Sequence, residues 1–166
     1  MKLIYNNETV KLLNLSIHET TLLQSLEQYY NNNNNFFKLA KIINGEHLIS
    51  RRTIEYFVTN YCKVTLSTRY IYYSYKDQLK AFKKIYFDPF GRGSRIPFIL
   101  GDNYIITTIA QLNFYRWFFE NSLDEYCIKN IVSIQQKLNK SEKKEKSNNK
   151  IDTILYKKTT SMIITF

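Results

Sequence analysis

A short segment rich in glycine and arginine has the composition of an anion-binding loop. Residues 87–95 read FDPFGRGSR, and the two glycines let backbone N–H groups turn toward a bound anion. Arg92 and Arg95 lie three positions apart, so their guanidinium groups can fork onto phosphate oxygens. The same residues also fit a structural role, in which Asp88 pairs with Arg92 or Arg95 and braces a turn. The sequence leaves both interpretations open.

A group of lysines precedes this loop on a predicted helix. Four of them recur at the i, i+4, i+7 and i+8 spacing of one helix face, namely Lys76, Lys80, Lys83 and Lys84. A lysine stripe alone is usually a solvated helix face, but next to a Gly/Arg loop it predicts a surface that binds nucleic acid or another anion. We call this predicted surface the basic face, and it comprises Arg51, Arg52, Lys76, Lys80, Lys83, Lys84, Arg92 and Arg95.

Tyrosines near these lysines offer a second mode of contact with nucleic acid. Tyr70, Tyr72 and Tyr73 are interleaved with basic residues. Aromatic rings can stack on bases while neighbouring cations neutralise phosphates. The alternative is structural, because a chain with 14 tyrosines is expected to place such clusters in strands and cores. The three tyrosines are therefore candidate stacking residues.

The net charge is concentrated in one part of the chain. Of the formal charge of +10, residues 38–98 carry +8, and they hold five of the six arginines. Asn, Lys, Ile and Tyr, whose codons are AT-rich, make up 69 of the 166 residues, so an AT-rich genome accounts for part of the lysine content. Codon bias would spread lysine evenly, whereas a local concentration favours an anion-binding surface.

Signals for catalysis are weak in this sequence. His18 and His47 are its two histidines, and neither has a second ligand at zinc spacing. The glycine-rich nucleotide-binding motifs and the nucleophile elbow do not occur. We expect a non-enzymatic protein with no catalytic residues, no metal site and no cofactor. The remaining enzymatic alternative is a metal-dependent nuclease, which would need Asp77 or Asp88 beside a second carboxylate.

Cysteine usage and hydropathy indicate a protein of the cytosol. Cys62 and Cys127 each fall at an apolar helical position, so we expect buried free thiols rather than a disulfide or a catalytic pair. No run of about 18 apolar residues occurs, and the first residues lack the apolar core of a signal peptide. We therefore expect a soluble protein without membrane association.

Capping signals and hydrophobic periodicity predict a mostly helical α+β fold. A capping box at Ser16 opens a helix over about 17–30, Gly45 closes one over 36–44, and Ser50 caps the next. Each of these signals precedes or follows apolar residues at helical spacing, which makes the helices amphipathic.

Extended structure is expected at two places. Residues 64–73 are β-prone and are followed by a second capping box at Ser74. A small antiparallel hairpin over about 95–107, which turns at Gly101, is predicted to pack on a long apolar helix pair over 108–139.

The expected domain organisation is simple. A single α+β domain covers 1–139, with a peripheral hairpin at 1–15 and an asparagine linker at 31–35. Residues 140–150 consist almost entirely of Lys, Glu, Ser and Asn, which predicts a charged tether. The tail at 151–166 is predicted to form a hairpin or a docking strand.

Three stretches resemble a conserved, uncharacterised protein of giant nucleocytoplasmic DNA viruses, the mimivirus-like group. They read ISRRTIEYFVTNYCK, YKDQLKAFKKIYFDPFGRGSRIPF and TTIAQLNFYRWFFENSLDEYCIKN, and the resemblance covers about residues 38–139. It implies a viral protein located in the host cytoplasm, at the virus factory, or in the virion. That family carries no established activity, so the resemblance assigns no role to any position.

Two functions from different classes fit these observations. The first is a non-enzymatic, largely sequence-independent nucleic-acid-binding protein of a large DNA virus, whose basic face contacts the backbone of DNA or RNA. The alternative is a small structural or adaptor subunit of a viral capsid, core or gene-expression complex, whose partner is an acidic or other viral protein surface. The alternative predicts an exposed aromatic patch that includes Trp117 and Tyr126.

Overall fold

A computed structural model describes residues 12–31, 34–144 and 146. The chain divides into two compact units, Met1–Lys129 and Asn130–Phe166, which are treated separately below. Most of the predicted hairpin at 1–15 and the whole of the predicted tail at 151–166 lie outside the described residues.

In its described residues, the first unit combines helices with a two-stranded antiparallel sheet, so the predicted α+β class is confirmed. In chain order its elements are α1 (Ile17–Asn31), α2 (Asn35–Asn44), α3 (Arg51–Tyr56), a π-helical turn (Phe57–Tyr61), α4 (Cys62–Val64), a 3₁₀ turn (Leu66–Thr68), α5 (Arg69–Tyr86), β1 (Ile96–Leu100), β2 (Asn103–Thr107), α6 (Ile109–Glu120) and α7 (Leu123–Lys129).

Three of the predicted helix boundaries that rest on capping signals, at Ser16, Gly45 and Ser50, are confirmed. The Ser16 hydroxyl accepts a hydrogen bond from the Glu19 N–H at 3.2 Å, and the Glu19 carboxylate accepts one from the Ser16 N–H at 2.9 Å. The Ser50 hydroxyl accepts from the Thr53 N–H at 3.1 Å. Gly45 ends α2 with φ 78°, the left-handed conformation that glycine adopts without a steric penalty.

The prediction for residues 64–73 is wrong, because this stretch is helical. The 3₁₀ turn leads directly into α5, and Ser74 lies inside that helix instead of capping it. The Ser74 hydroxyl accepts a hydrogen bond from the indole N–H of Trp117 at 3.1 Å. Ile71 and Tyr75 are buried one helical turn apart, so packing against the core overrides the β propensity of the segment.

The hairpin forms as predicted and contributes one face to the core. Ile96 pairs with Thr107 and Phe98 with Ile105 in antiparallel register, and these four side chains are buried. The Phe98 ring meets those of Tyr30 and Phe36 at centroid distances of 5.5 and 6.1 Å, so α1 and α2 cover this face.

The apolar segment after the hairpin forms the centre of the unit. Ten of the twelve residues of α6 are buried, and a break at positions 121 and 122 separates α6 from α7. Ser122 makes the turn with φ 51°. The Tyr30 hydroxyl donates to the Leu112 carbonyl at 2.9 Å, which joins α1 to α6 inside the core.

Both cysteines are buried free thiols, as predicted. Burial raises the pKa of Cys62 from 9.0 to about 12, and burial likewise raises the pKa of Tyr75 from 10.0 to about 12. A pKa raised by folding means that the unfolded chain loses these protons at a lower pH than the folded chain.

We expect stability to fall in alkaline solution. The contribution of Cys62 and Tyr75 is fully present below pH 9 to 10 and is lost as the pH rises toward about 12. The thermal midpoint measured by circular dichroism should therefore decrease steadily over this range, and Tyr75→Phe should lessen the decrease above pH 10. A midpoint that stays constant up to about pH 11.5 would contradict the burial of these groups.

The second unit is described for residues 130–144 and 146. Residues 131–144 are helical, and within this helix the Ser141 hydroxyl donates to the Leu138 carbonyl at 2.9 Å. The segment predicted as a tether, 140–150, thus begins within helical residues, and its remainder lies largely outside the described part. The domain boundaries stay a prediction.

Candidate nucleic-acid interface

The loop between α5 and β1 is anchored at its start by an aspartate. The Asp88 N–H donates to the Ala110 carbonyl at 3.2 Å, which ties the loop to the first turn of α6. The buried Asp88 carboxylate accepts hydrogen bonds from the Phe90 N–H at 3.4 Å and from Nε of Arg92 at 3.1 Å. The structural role that the sequence suggested for Asp88 is therefore present.

A buried glutamine of α6, Gln111, also anchors this loop. The Gln111 amide donates from Nε2 to the Pro89 carbonyl at 3.1 Å, and its Oε1 accepts from the Thr107 hydroxyl at 3.1 Å. The backbone passes so close to Gln111 at Gly91, where φ is 77°, that a Cβ there would lie 2.7 Å from the amide carbon. Sequence reasoning missed this role of Gln111; its signal is an uncharged polar residue within an apolar helix.

The lysines of the basic face are exposed, but they do not form one continuous helical stripe. Lys83 has φ 58° and ψ 168°, which interrupts α5 between Lys80 and Lys84. The spacing that relates Lys76 to Lys80 therefore does not extend to the last two lysines. Lys80 forms an ion pair with Asp77 at 3.2 Å, and because both side chains are exposed this pair contributes little stability.

The end of α5 and the Gly/Arg loop lie next to each other. A Cβ placed on Gly93 would lie 3.9 Å from the Ile85 carbonyl oxygen. A cavity of about 100 Å³ is lined by Ile85 and Tyr86 on the helix side and by Arg92, Gly93 and Ser94 on the loop side. The structure thus brings the loop arginine and the carboxyl end of the lysine helix together.

The remaining arginines of the basic face are Arg51, Arg52 and Arg95. Burial raises the pKa of Tyr115, the charge of Arg51 lowers it and that of Asp88 raises it, which puts both charges in the neighbourhood of this ring. The Tyr115 hydroxyl donates to the Pro89 carbonyl at 3.5 Å, which ties this ring to the loop. Arg52 and Arg95 are exposed, and their place on the same surface stays a prediction.

The candidate stacking residues occupy the first turns of α5. The side chains of Tyr70 and Tyr73 are 68% and 59% exposed. Tyr72 is half-buried, and its ring contacts that of Tyr73 at a centroid distance of 5.8 Å in an edge-to-face arrangement. The Lys63 ammonium lies 6.0 Å from the centre of the Tyr72 ring. Two of the three rings are therefore accessible to a ligand.

The exposed aromatic patch predicted around Trp117 is wrong. Trp117 is buried, because its ring packs against Tyr75 and Phe87 at centroid distances of 6.1 and 5.6 Å. Tyr126 is half-buried, with its ring 5.6 Å from that of Phe57. Trp117 therefore belongs to the interior of the unit and Tyr126 to its edge.

Within the described ranges, no three or more His, Cys, Asp or Glu side chains are grouped so that they could hold a metal ion. In the same part of the chain, no helix combines the length and the apolar character needed to span a membrane.

Comparison with known proteins places the chain in a family. It is 31% identical over 125 residues to uncharacterised protein L507 of Acanthamoeba polyphaga mimivirus, a match that covers 65% of this chain and 48% of the relative. The chain thus spans about half the length of that relative. The match confirms the resemblance to a giant-virus protein and supports a viral origin, whereas no solved structure matches the chain significantly. Because residues 6–162 match the profile of the family of unknown function DUF7197, the chain belongs to that family.

Proposed function

We propose that the protein binds the backbone of nucleic acid through its basic face, without catalysis and with little dependence on sequence. The observation that carries the proposal is the proximity of the Gly/Arg loop to the lysine-bearing end of α5, where Ile85, Arg92 and Gly93 line one cavity. Cations from two neighbouring elements can then neutralise successive phosphates of one strand. The proposal includes a location at the virus factory or in the virion.

Arg92 can bind a phosphate while it keeps its intramolecular partner Asp88. Its ion pair with Asp88 uses Nε, and the Arg92 side chain remains 67% exposed. A guanidinium group has five N–H donors, so one hydrogen bond to Asp88 leaves capacity for a second anion. The ion pair and the phosphate contact are thus compatible roles of one side chain.

The loop is held in place before any ligand arrives. The Gln111 amide contacts both Pro89 and Thr107, and Asp88 is tied to the backbone of α6. A loop that is already ordered loses little conformational entropy on binding, which favours affinity. The backbone of Arg92 is therefore positioned by buried contacts.

Salt dependence of binding tests the proposal. If about five cations of the basic face contact phosphates, log K should fall against log salt with a slope of about −4 to −5 on duplex DNA. Arg92→Ala with Arg95→Ala should reduce the slope by about 2 and weaken binding about 10-fold or more at about 0.1 M salt. Filter binding or fluorescence anisotropy over about 0.05 to 0.3 M salt measures both quantities.

The controls separate loss of contact from loss of folding or of charge. Arg95→Ala alone leaves the Asp88–Arg92 pair intact and should lower the slope by about 1. Lys140→Ala with Lys143→Ala removes the same number of charges from exposed positions of the helix over 131–144 and should change little. Micromolar or weaker affinity at low salt, or an unchanged affinity in the arginine variants, would rule out the proposal.

A second candidate function is an adaptor subunit of a viral assembly. The observation that favours it is the outer face of the hairpin, where Tyr104 is 68% and Ile106 49% exposed. Apolar side chains that stay exposed on a sheet are typical of protein interfaces. A complex held by this face would persist at high salt, because apolar contacts are not screened, whereas phosphate contacts would be lost.

A further inference from the structure

We infer that the nucleic acid recognised by this protein is single-stranded and that Tyr70 and Tyr73 stack on its bases. This inference rests on the proposed function and adds the class of ligand. It starts from the two aromatic rings of α5 that remain exposed although the core is rich in aromatic contacts.

The two rings and two lysines share the solvent side of one helix. Tyr73 lies three positions after Tyr70, Lys76 three after Tyr73, and Lys80 four after Lys76, which keeps the four residues on neighbouring ridges. The opposite side carries the buried residue Ile71. With a rise of about 1.5 Å per residue, the tyrosines are about 4.5 Å and the lysines about 6 Å apart along the axis. All four precede the break at Lys83.

This order of groups fits a single strand better than a duplex. Bases of a single strand expose their faces, so each ring can stack on a base while the lysines downstream contact the phosphates. In a duplex the base faces are covered by their neighbours, and exposed rings beside a backbone gain little. Charge also favours an anionic ligand, because Lys76 and Lys80 follow the rings on the same side of α5 and Lys63 lies 6.0 Å from the centre of the Tyr72 ring, although Lys80 already pairs with Asp77.

Tyr73 is supported in the position that stacking requires. Its ring has an edge-to-face contact with the half-buried ring of Tyr72. Such a contact restricts the rotation of an exposed side chain, which reduces the entropy lost when a base stacks on its open face. Tyr72 thereby acts as a positioning residue and Tyr73 as a contact residue.

The competing occupant is an acidic protein segment with an apolar face. Such a partner would also cover Leu66, which lies four positions before Tyr70 and is 79% exposed. Leu66 has no aromatic ring, so base stacking does not need it. Leu66→Ala is therefore a matched variant that separates the two occupants.

The experiment compares three ligands of about 15 nucleotides, namely oligo-dT, an abasic strand with the same backbone and a duplex. We expect the wild-type protein to bind oligo-dT at least about 5-fold more tightly per stacked base than the abasic strand. Tyr70→Ala with Tyr73→Ala should remove that difference and leave the salt slope unchanged. Tyr70→Phe with Tyr73→Phe should restore it, and Leu66→Ala should have no effect.

The outcomes distinguish failure of this inference from failure of the proposed function. Equal binding of oligo-dT and the abasic strand, with no effect of Tyr70→Ala and Tyr73→Ala, would overturn the inference. If all three ligands still bound in a salt-dependent way, the proposed function would stand. Absence of binding to any of the three ligands at low salt would reject both. Loss of oligo-dT binding in Leu66→Ala would also overturn stacking as the cause. Circular dichroism of each variant at these exposed positions confirms that it is folded.

Discussion

Gly91→Ala is expected to lower the free energy of unfolding by about 2–4 kcal/mol. Gly91 has φ 77°, where an alanine costs about 1 kcal/mol or more, and the added Cβ would lie 2.7 Å from the Gln111 side chain. Gln111 is fully buried and hydrogen-bonded to Pro89 and Thr107, so it cannot move aside without leaving polar atoms unsatisfied. Urea denaturation followed by circular dichroism measures the loss.

Gly101→Ala is the matched control for this prediction. Gly101 also has positive φ, at 58°, but a Cβ there would meet no atom within 4 Å. This variant should therefore lose about 1 kcal/mol, from backbone strain alone. Equal losses in the two variants would contradict a tight contact between Gly91 and Gln111.

Lys76→Glu with Lys84→Glu is expected to weaken nucleic-acid binding about 100-fold or more at about 0.1 M salt. The loss of two phosphate contacts accounts for about 10-fold of this factor and reduces the salt slope by about 2, and the two added negative charges supply the rest by repelling the backbone. Both lysines are exposed, so the thermal midpoint should stay close to that of the wild-type protein. Anisotropy titrations with a labelled oligonucleotide give the affinity and its slope.

Charge reversal outside the basic face provides the comparison. Lys140→Glu with Lys143→Glu changes the net charge equally, at exposed positions of the helix over 131–144. If binding depends on the basic face, this control should lose much less affinity. Losses of similar size in both variants would show that the total charge of the chain, rather than its location, determines binding.

Local signals explain why much of the helical architecture was predictable. Ser16, Ser50 and Gly45 each satisfy or release backbone groups within a few residues, so their effect does not depend on the rest of the fold. The hairpin turn at Gly101 is equally local. Features of this kind can be read from one sequence.

Long-range packing explains what the sequence did not reveal. The start of α5 at Arg69 depends on Tyr75, whose ring meets Phe87 and Phe114 at 6.0 and 6.4 Å, and these neighbours lie in distant parts of the chain. The burial of Trp117 has the same origin. Propensity alone favoured a strand over residues 64–73, and the sequence alone allowed Trp117 to lie at an exposed interface.

The candidate site was predictable in its composition but not in its geometry. The sequence offered Arg92 or Arg95 as the partner of Asp88 within an anion-binding loop, and the structure forms the pair with Arg92. The residues around Lys83 do not predict a break in the helix, because lysine is a good helix former. The hydrogen bond between Gln111 and Pro89 depends on where the loop passes, which the sequence does not reveal.

The backbone at Lys83, near the carboxyl end of α5, is strained. A lysine at φ 58° and ψ 168° costs about 1–3 kcal/mol of conformational energy. The last residues of α5 follow it, and Ile85 among them lies beside Gly93 of the loop. Glycine adopts this conformation without the penalty, so the strain at Lys83 is a cost of placing the end of α5 beside the loop, which the packing of the unit offsets.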